Sequence, residues 1–263
     1  MSEDPARVAS PRGYHQPMTK VLPDEEVARL NERFEAGDPG EILEWALTDE
    51  RLSNIAIASA FQADGTAVMH MATRIRPGLR VLFLDTGFHF AETLALRDEI
   101  VGRLGVEIVN LKGAFASPEE QGRAVGPRLY ERDPNLCCDI NKVRPFIAAL
   151  RGLDAWVTSL RRDSSPTRAD TPIVDQYELE PGKWIVKVNP VANWHRLDAR
   201  RYLEEHDLPA NPLYQLGYAS IGCAPCTRLR LPGEPERAGR WAEKPKWECG
   251  IHQRESATQS PSA

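Results

Sequence analysis

No apolar run in this chain approaches the length of a membrane span, so the sequence is not that of a helical membrane protein. An excess of positive charge is missing too: 38 acidic residues outnumber 33 basic ones, for a net charge of -5. That excludes a chain-wide basic footprint for nucleic acid. An anionic ligand must then be met by a local cluster of cations. Residues 1–20, MSEDPARVASPRGYHQPMTK, are polar and lack the apolar core of a signal peptide, which predicts a cytoplasmic protein with a flexible lead-in. Internal repeats and low-complexity blocks are absent. Cysteine is scarce, with five in 263 residues. In a cytosolic chain so few point to metal or thiol chemistry more than to a disulfide framework.

What is present is an alternating pattern. PDEEVARLNERFEAG (23–37) opens with acids and stops at Gly37, as an amphipathic helix does, and EILEWALTDE (41–50) reads as a second helix. Strands are expected at NIAIASAF (54–61), RVLFLDTG (80–87), VEIVNL (106–111) and AWVTSLRR (155–162). Between them lie helical stretches at 65–75, 90–105 and 139–152. Such alternation predicts an α/β fold, a parallel sheet with helices on both faces. Ligands then bind beyond the carboxyl ends of the strands, which places SAFQADG, LDTGFHF and SLRRDSSPTR on one edge. After residue 171 the pattern becomes less regular, apart from a helix in WHRLDARRYLEEH (194–206). The domain is expected over 21–240, with a mobile C-terminal segment over 241–263.

Four of the cysteines form two pairs: Cys137 and Cys138 are adjacent in NLCCDINK, and Cys223 and Cys226 form a C-x-x-C. A disulfide between neighbours would strain the intervening peptide. Four thiolates suit a tetrahedral zinc, an iron–sulfur cluster or, for the C-x-x-C alone, a redox pair. Adjacent residues can each take one of the separated iron corners of a cluster, whereas structural zinc usually takes a wider spacing. The fifth, Cys249 in PKWECGIH, lies in a polar, glycine-bearing stretch that does not suit a core thiol. A reactive thiol fits better, with His252 or the arginines of ERAGRW as a nearby cation.

Together SAFQADG, LDTGFHF, LYERDPNLCCDINKVRP, SLRRDSSPTRA, GCAPCTR, RAGRW and ECGIH resemble the assimilatory, thioredoxin-dependent adenylyl-sulfate reductases, the iron–sulfur branch of the phosphoadenylyl-sulfate reductase family. The stretches keep family order over roughly residues 50–252. The resemblance implies a Rossmann-like sheet of the adenine-nucleotide alpha-hydrolase-like kind with a C-terminal arm. It implies a [4Fe-4S] cluster on Cys137, Cys138, Cys223 and Cys226, and Cys249 as the nucleophile. It departs at Ser164, where the family usually has Gln.

By the same resemblance Lys142, Arg168, Arg237 and Arg240 grip sulfate and phosphate; the plain alternative for each is a solvated charged face. In the SAFQADG loop, Ser59, Phe61, Gln62 and Gly65 are expected around a phosphate at a helix start. Asp85, Thr86 and Gly87 of LDTGFHF are expected to hold the ribose or adenine. His252 joins the substrate site, while His70 and His89 read as structural. The implied reaction is attack of Cys249 on the sulfate sulfur of adenylyl sulfate, giving AMP and an S-sulfocysteine that thioredoxin, or a glutaredoxin-like donor, reduces to sulfite. Within the family the rival is a reductase of the 3′-phosphorylated substrate, or use of both. A tRNA-thiolating enzyme would show an SGGxDS-type loop and a basic face, and a zinc-stapled binding module would leave Cys249 without a purpose.

Overall fold

The computed structural model describes residues 20–242 and 244–252. The expected lead-in at 1–19 and the tail at 253–263 lie outside the described residues. Among the described residues no helix is long and apolar enough to cross a membrane.

Two N-terminal helices pack first. Helix α1 (Asp24–Phe34) opens with Asp24, Glu25 and Glu26, acids that suit the positive end of the helix dipole, and it buries Leu30 and Phe34. Helix α2 (Pro39–Thr48) has proline at its first position, and the Asp38 side chain caps it by accepting from the Gly40 amide. Six strands follow: β1 (Ile55–Ala58), β2 (Arg80–Asp85), β3 (Glu107–Lys112), β4 (Ala155–Val157), β5 (Val174–Glu180) and β6 (Lys183–Val188). Helix α3 (Ala63–Ile75) joins β1 to β2, and α4 (Ala91–Leu104) joins β2 to β3. Gly105 ends α4 in the left-handed conformation. Short helices α5 (Pro118–Val125), α6 (Leu129–Arg132) and α7 (Pro134–Cys138) lead to α8 (Arg144–Leu150), and α9 (Arg196–Glu205) follows the sheet.

The sheet order is β3-β2-β1-β4-β6-β5, with every neighbouring pair parallel except β5 and β6. Side-chain alternation divides the core between the two faces. Ile55, Ile57, Val81, Phe83 and Val157 enter one cluster with residues of α1, α2 and α3. Ala56, Leu82 and Trp156 enter the other, with Phe146 and Leu150 of α8. Both faces are thus covered, as expected of a sheet that is mostly parallel.

The expectation of irregular chain after residue 171 is corrected. Residues 174–188 form an antiparallel hairpin, β5 and β6, that completes one edge of the sheet. Pro181 and Gly182 are its turn, with Gly182 at φ +81. Those two residues read as loop composition because the strands around them mix charged and apolar side chains. The predicted strands at 54–61 and 155–162 are also cut short, to Ile55–Ala58 and Ala155–Val157, because their carboxyl ends turn outward to line a cavity.

Candidate active site

Chain order reverses between β1 and β4, which lie side by side in register, Ile57 opposite Val157. The loops leaving such a pair diverge and open a crevice. A cavity of about 170 Å3 lies there. Ser59 and Gln62 come to it from the β1 loop, and Ser164 and Arg168 from the β4 loop. Gln62 also accepts from the Ile221 amide at 3.0 Å, which ties the β1 loop to the segment before the C-x-x-C.

Three further cations face this cavity: Lys142, Arg237 and Arg240. Arg237 and Arg240 are only 7% and 8% exposed, so they are not on a solvated face. Arg237 donates through Nη2 to the Trp247 carbonyl at 2.9 Å, and Arg240 through Nη1 to the Ile221 carbonyl at 3.2 Å. The Nε–H of each is buried with no hydrogen-bond partner among the described residues. Unsatisfied buried donors are costly, and the two guanidinium groups, clustered with Lys142 on one cavity, suit an anion. Burial, followed by repulsion from Arg168 and Arg240, lowers the pKa of Arg237 to about 9. A bound anion would reverse that.

Arg161 underlies the cations. It is 1% exposed and meets Asp64, Asp163 and Glu236 at 2.9, 2.5 and 2.8 Å. Burial raises the Asp64 carboxyl to about 6, with Arg161 opposing and Glu236 adding to the shift. Glu236 precedes Arg237, so this hub pins the turn that carries both cavity arginines.

Cys249 lines the same cavity. The residues before and after it are held. Glu248 is 7% exposed and pairs with Arg168 at 2.7 Å. His252 stacks on Trp156 with ring centroids 5.6 Å apart and planes at 7°, and its Nδ1 is buried without a partner among the described residues. Burial drives the His252 pKa well below its ordinary value, so the ring is neutral there.

The four paired cysteines are free thiols and meet in one small pocket beside the cavity, with Lys142 between the two. Cys137 and Cys138 end α7, and the π-helical turn Asp139–Val143 follows at once. Such a turn shifts the helix face by one residue, a distortion common at functional sites. Cys223 precedes and Cys226 ends the 3-10 turn Ala224–Cys226, anchored by the Ala224 amide donating to the Phe88 carbonyl at 2.7 Å. Thr86 Oγ1 lies 3.3 Å from Cys223 Sγ, and Asn141 Nδ2 lies 3.6 Å from Cys137 Sγ. Burial raises the thiol pKa of Cys138 to about 11 and of Cys226 to about 12. For Cys223 burial is outweighed by Lys142, the Thr86 hydroxyl and Arg240 together, and its pKa falls. Among the described residues no three His, Cys, Asp or Glu side chains gather tightly enough for one metal ion. The thiols surround a space instead, walled by Phe88, Tyr130, Pro134 and Pro225. Soft donors around an apolar space, with a cation at its edge, fit an iron–sulfur cluster.

Residues 54–229 match the family model described as the phosphoadenosine phosphosulfate reductase domain. The chain belongs to the phosphoadenosine phosphosulfate reductase family. Family relatives named adenosine 5′-phosphosulfate reductase include one from Streptomyces coelicolor, 44% identical over 87% of this chain and 95% of its own. Another, from Mycobacterium tuberculosis, is 43% identical over 76% of each chain. A crystal structure of a family member, the phosphoadenylyl-sulfate reductase from Candida auris in a phosphate complex, superposes with a TM-score of 0.68 at 28% identity, over 79% of this chain and 98% of that one.

Seen as a site of this family, the cavity gathers Ser59, Gln62, Lys142, Arg168, Arg237, Arg240, Cys249 and His252. Five expected residues are not among its lining. The Phe61 side chain, on a backbone at φ +54, turns into the core against Phe83, ring to ring at 5.6 Å. Gly65 lies in the first turn of α3, where an added Cβ would sit 2.5 Å from Ser59 Oγ, so its role is close packing. Asp85, Thr86 and Gly87 line a smaller neighbouring pocket. Asp85 accepts from the Gly87 amide at 3.2 Å, and Thr86 faces Cys223. The β2 loop therefore packs against Cys223 through Thr86. His89 was expected to be structural, and its Nε2 does bond the Leu84 carbonyl at 2.8 Å while the ring also borders the cavity. Sequence reasoning missed Glu248, Asp64 and Glu236. Acids beside basic residues carry no signal of their own in a charged chain, although Glu248 adjoins the predicted nucleophile.

Proposed function

We propose that this chain reduces adenylyl sulfate to sulfite and AMP in assimilatory sulfate reduction, through an S-sulfocysteine on Cys249 and with thioredoxin or a glutaredoxin-like dithiol as the donor. The observation that carries this reading is a cysteine on the same cavity as Lys142 and two buried arginines. The names of the relatives supply the substrate class.

The phosphate and sulfate take up the donors of Arg237, Arg240 and Lys142, held by charge-assisted hydrogen bonds. The Cys249 thiolate attacks the sulfate sulfur. A new S–S bond forms, the bond from that sulfur to the bridging oxygen breaks, and AMP leaves with its electron pair. The cations stabilise the charge that grows on the departing phosphate. A donor thiolate then attacks Cys249 Sγ, and sulfite leaves with the electrons of the S–S bond. The donor's second thiol resolves the mixed disulfide, so the donor is oxidised and Cys249 returns as a thiol. Cys249 has to meet first a small anion and then a protein, so the segment that carries it undocks between the two steps.

Cys137, Cys138, Cys223 and Cys226 would hold a [4Fe-4S] cluster. When bound, it supplies a fixed negative charge beside Lys142 and orders the pocket. Intact-mass spectrometry after mixing the protein with adenylyl sulfate, without reductant, tests the reading. One sulfite-sized mass gain is expected on the peptide containing Cys249. No adduct, or an adduct on Cys223 or Cys226, overturns it.

A further inference from the structure

The residue before the nucleophile has an arrangement that the reaction as written does not use. Arg168 donates to Glu248 through Nε and Nη2, at 2.7 and 2.8 Å, one bond to each carboxylate oxygen. Thr167 Oγ1 adds a bond of 3.2 Å, and Arg237 Nη2 approaches to 3.3 Å. The remaining Arg168 nitrogen, Nη1, donates to Ser164 Oγ at 3.3 Å. All three guanidinium nitrogens of Arg168 are thus engaged within the protein. Arg237 and Arg240, in contrast, each keep a buried N–H without an acceptor among the described residues. The arginines of the cavity therefore divide into two kinds.

We propose that Arg168 and Glu248 form the latch that seats Cys249 over the cavity, so that Arg168 is a positioning residue acting through Glu248 and does not bind the substrate's sulfate while the segment is docked. The inference rests on the reading of Cys249 as nucleophile. Adjacent Cα atoms are about 3.8 Å apart, so fixing the Glu248 carboxylate fixes the Cys249 backbone within one peptide. Beyond Cys249 the chain turns at Gly250, φ +102, where an added Cβ would sit 3.0 Å from Val143. Ile251 then packs into the core, and His252 stacks on Trp156. The nucleophile is held from both sides, but the two holds differ in kind. The stack is neutral, and the latch is a bidentate ion pair whose members separate into water when the segment leaves. Burial works against the Glu248 charge, but the hydrogen bonds and charge of Arg168, together with the Arg237 charge and the Thr167 hydroxyl, outweigh it and keep the pKa below the ordinary carboxylate value. The pair is thus charged at neutral pH.

The test compares wild type with Glu248→Gln, Arg168→Ala and the double variant in the full-length chain. Glu248→Gln is nearly isosteric and guards against a folding defect. Alkylation of Cys249 by iodoacetamide reads docking. Each single variant is expected to react about tenfold faster than wild type, and the double variant no faster than either single, because both remove the same pair. Single-turnover S-sulfonation by adenylyl sulfate should slow about tenfold at saturation, with half-saturation moved less than about threefold. If Arg168→Ala leaves Cys249 alkylation unchanged and raises half-saturation instead, Arg168 is a substrate ligand and the latch is wrong. Additive effects in the double variant would also overturn it. Should wild type form no adduct at all, the reductase reading fails, and the alkylation series still decides the latch.

Discussion

Arg161 and Glu236 meet through two 2.8 Å hydrogen bonds from one guanidinium nitrogen, across 75 residues of chain. The other nitrogens of Arg161 face Asp64 and Asp163. One buried cation thus joins the start of α3, the β4 loop and the turn of Arg237. Arg161→Ala would leave three carboxylates crowded without their counter-charge. Breaking a buried network by removing one partner typically costs about 3–5 kcal/mol. Urea unfolding of wild type and variant should show a loss of that order. A change below about 0.5 kcal/mol, the range of ordinary surface substitutions, would show that the hub adds nothing.

Asp64 makes the hub sensitive to pH. Its folded-state pKa of about 6 lies above the ordinary value of 3.8. Between those values the folded chain keeps a proton that the unfolded chain has lost. The stability from that proton is full below pH 3.8 and is lost as pH rises through about 6. Asp64→Asn mimics the protonated group and should lack this dependence. The stability of wild type relative to Asp64→Asn should therefore fall between pH 4 and pH 7, measured by urea unfolding at each pH. A rise over that window would contradict the sign.

Metal analysis addresses the thiol pocket directly. Protein purified without oxygen is expected to be brown, with iron and acid-labile sulfide. Alanine at Cys137, Cys138, Cys223 or Cys226 should bleach it and remove most activity. Stoichiometric zinc without sulfide would point to a single-ion site instead.

Arg237→Ala and Arg240→Ala should each weaken nucleotide binding. Each removes charge-assisted hydrogen bonds of roughly 1.5–3 kcal/mol. Calorimetry with AMP and with adenylyl sulfate measures the loss, which should be larger for the sulfated ligand. Unchanged affinity for both ligands in both variants would return these arginines to a structural role.

Much of the fold could be read locally. RVLFLD is a run of apolar, β-forming residues, and it forms β2, buried on both sheet faces. FAETLALRDEIVGRLG carries its own stop signal, and Gly105 ends α4. The β5–β6 hairpin was not legible. Lys187 and Asp175 are buried and paired across two strands, so charges that look like loop residues belong to a sheet. Local pattern cannot distinguish a solvated charge from one whose partner is a strand away.

The sequence by itself determined the chemical inventory. The two cysteine pairs and the lone Cys249 stand out by type and spacing, because soft ligands are properties of side chains, while Lys142, Arg168, Arg237 and Arg240 were singled out by the family resemblance. The tertiary structure alone decided which groups share a space. It placed Thr86 against Cys223 and set Asp85 on a smaller neighbouring pocket. It paired Arg168 with Glu248, 80 residues away. The physical reason is that a hydrogen bond depends on distance and angle between two atoms. Neither is encoded along the chain until the sheet closes and brings the loops of β1 and β4 to face the C-terminal segment.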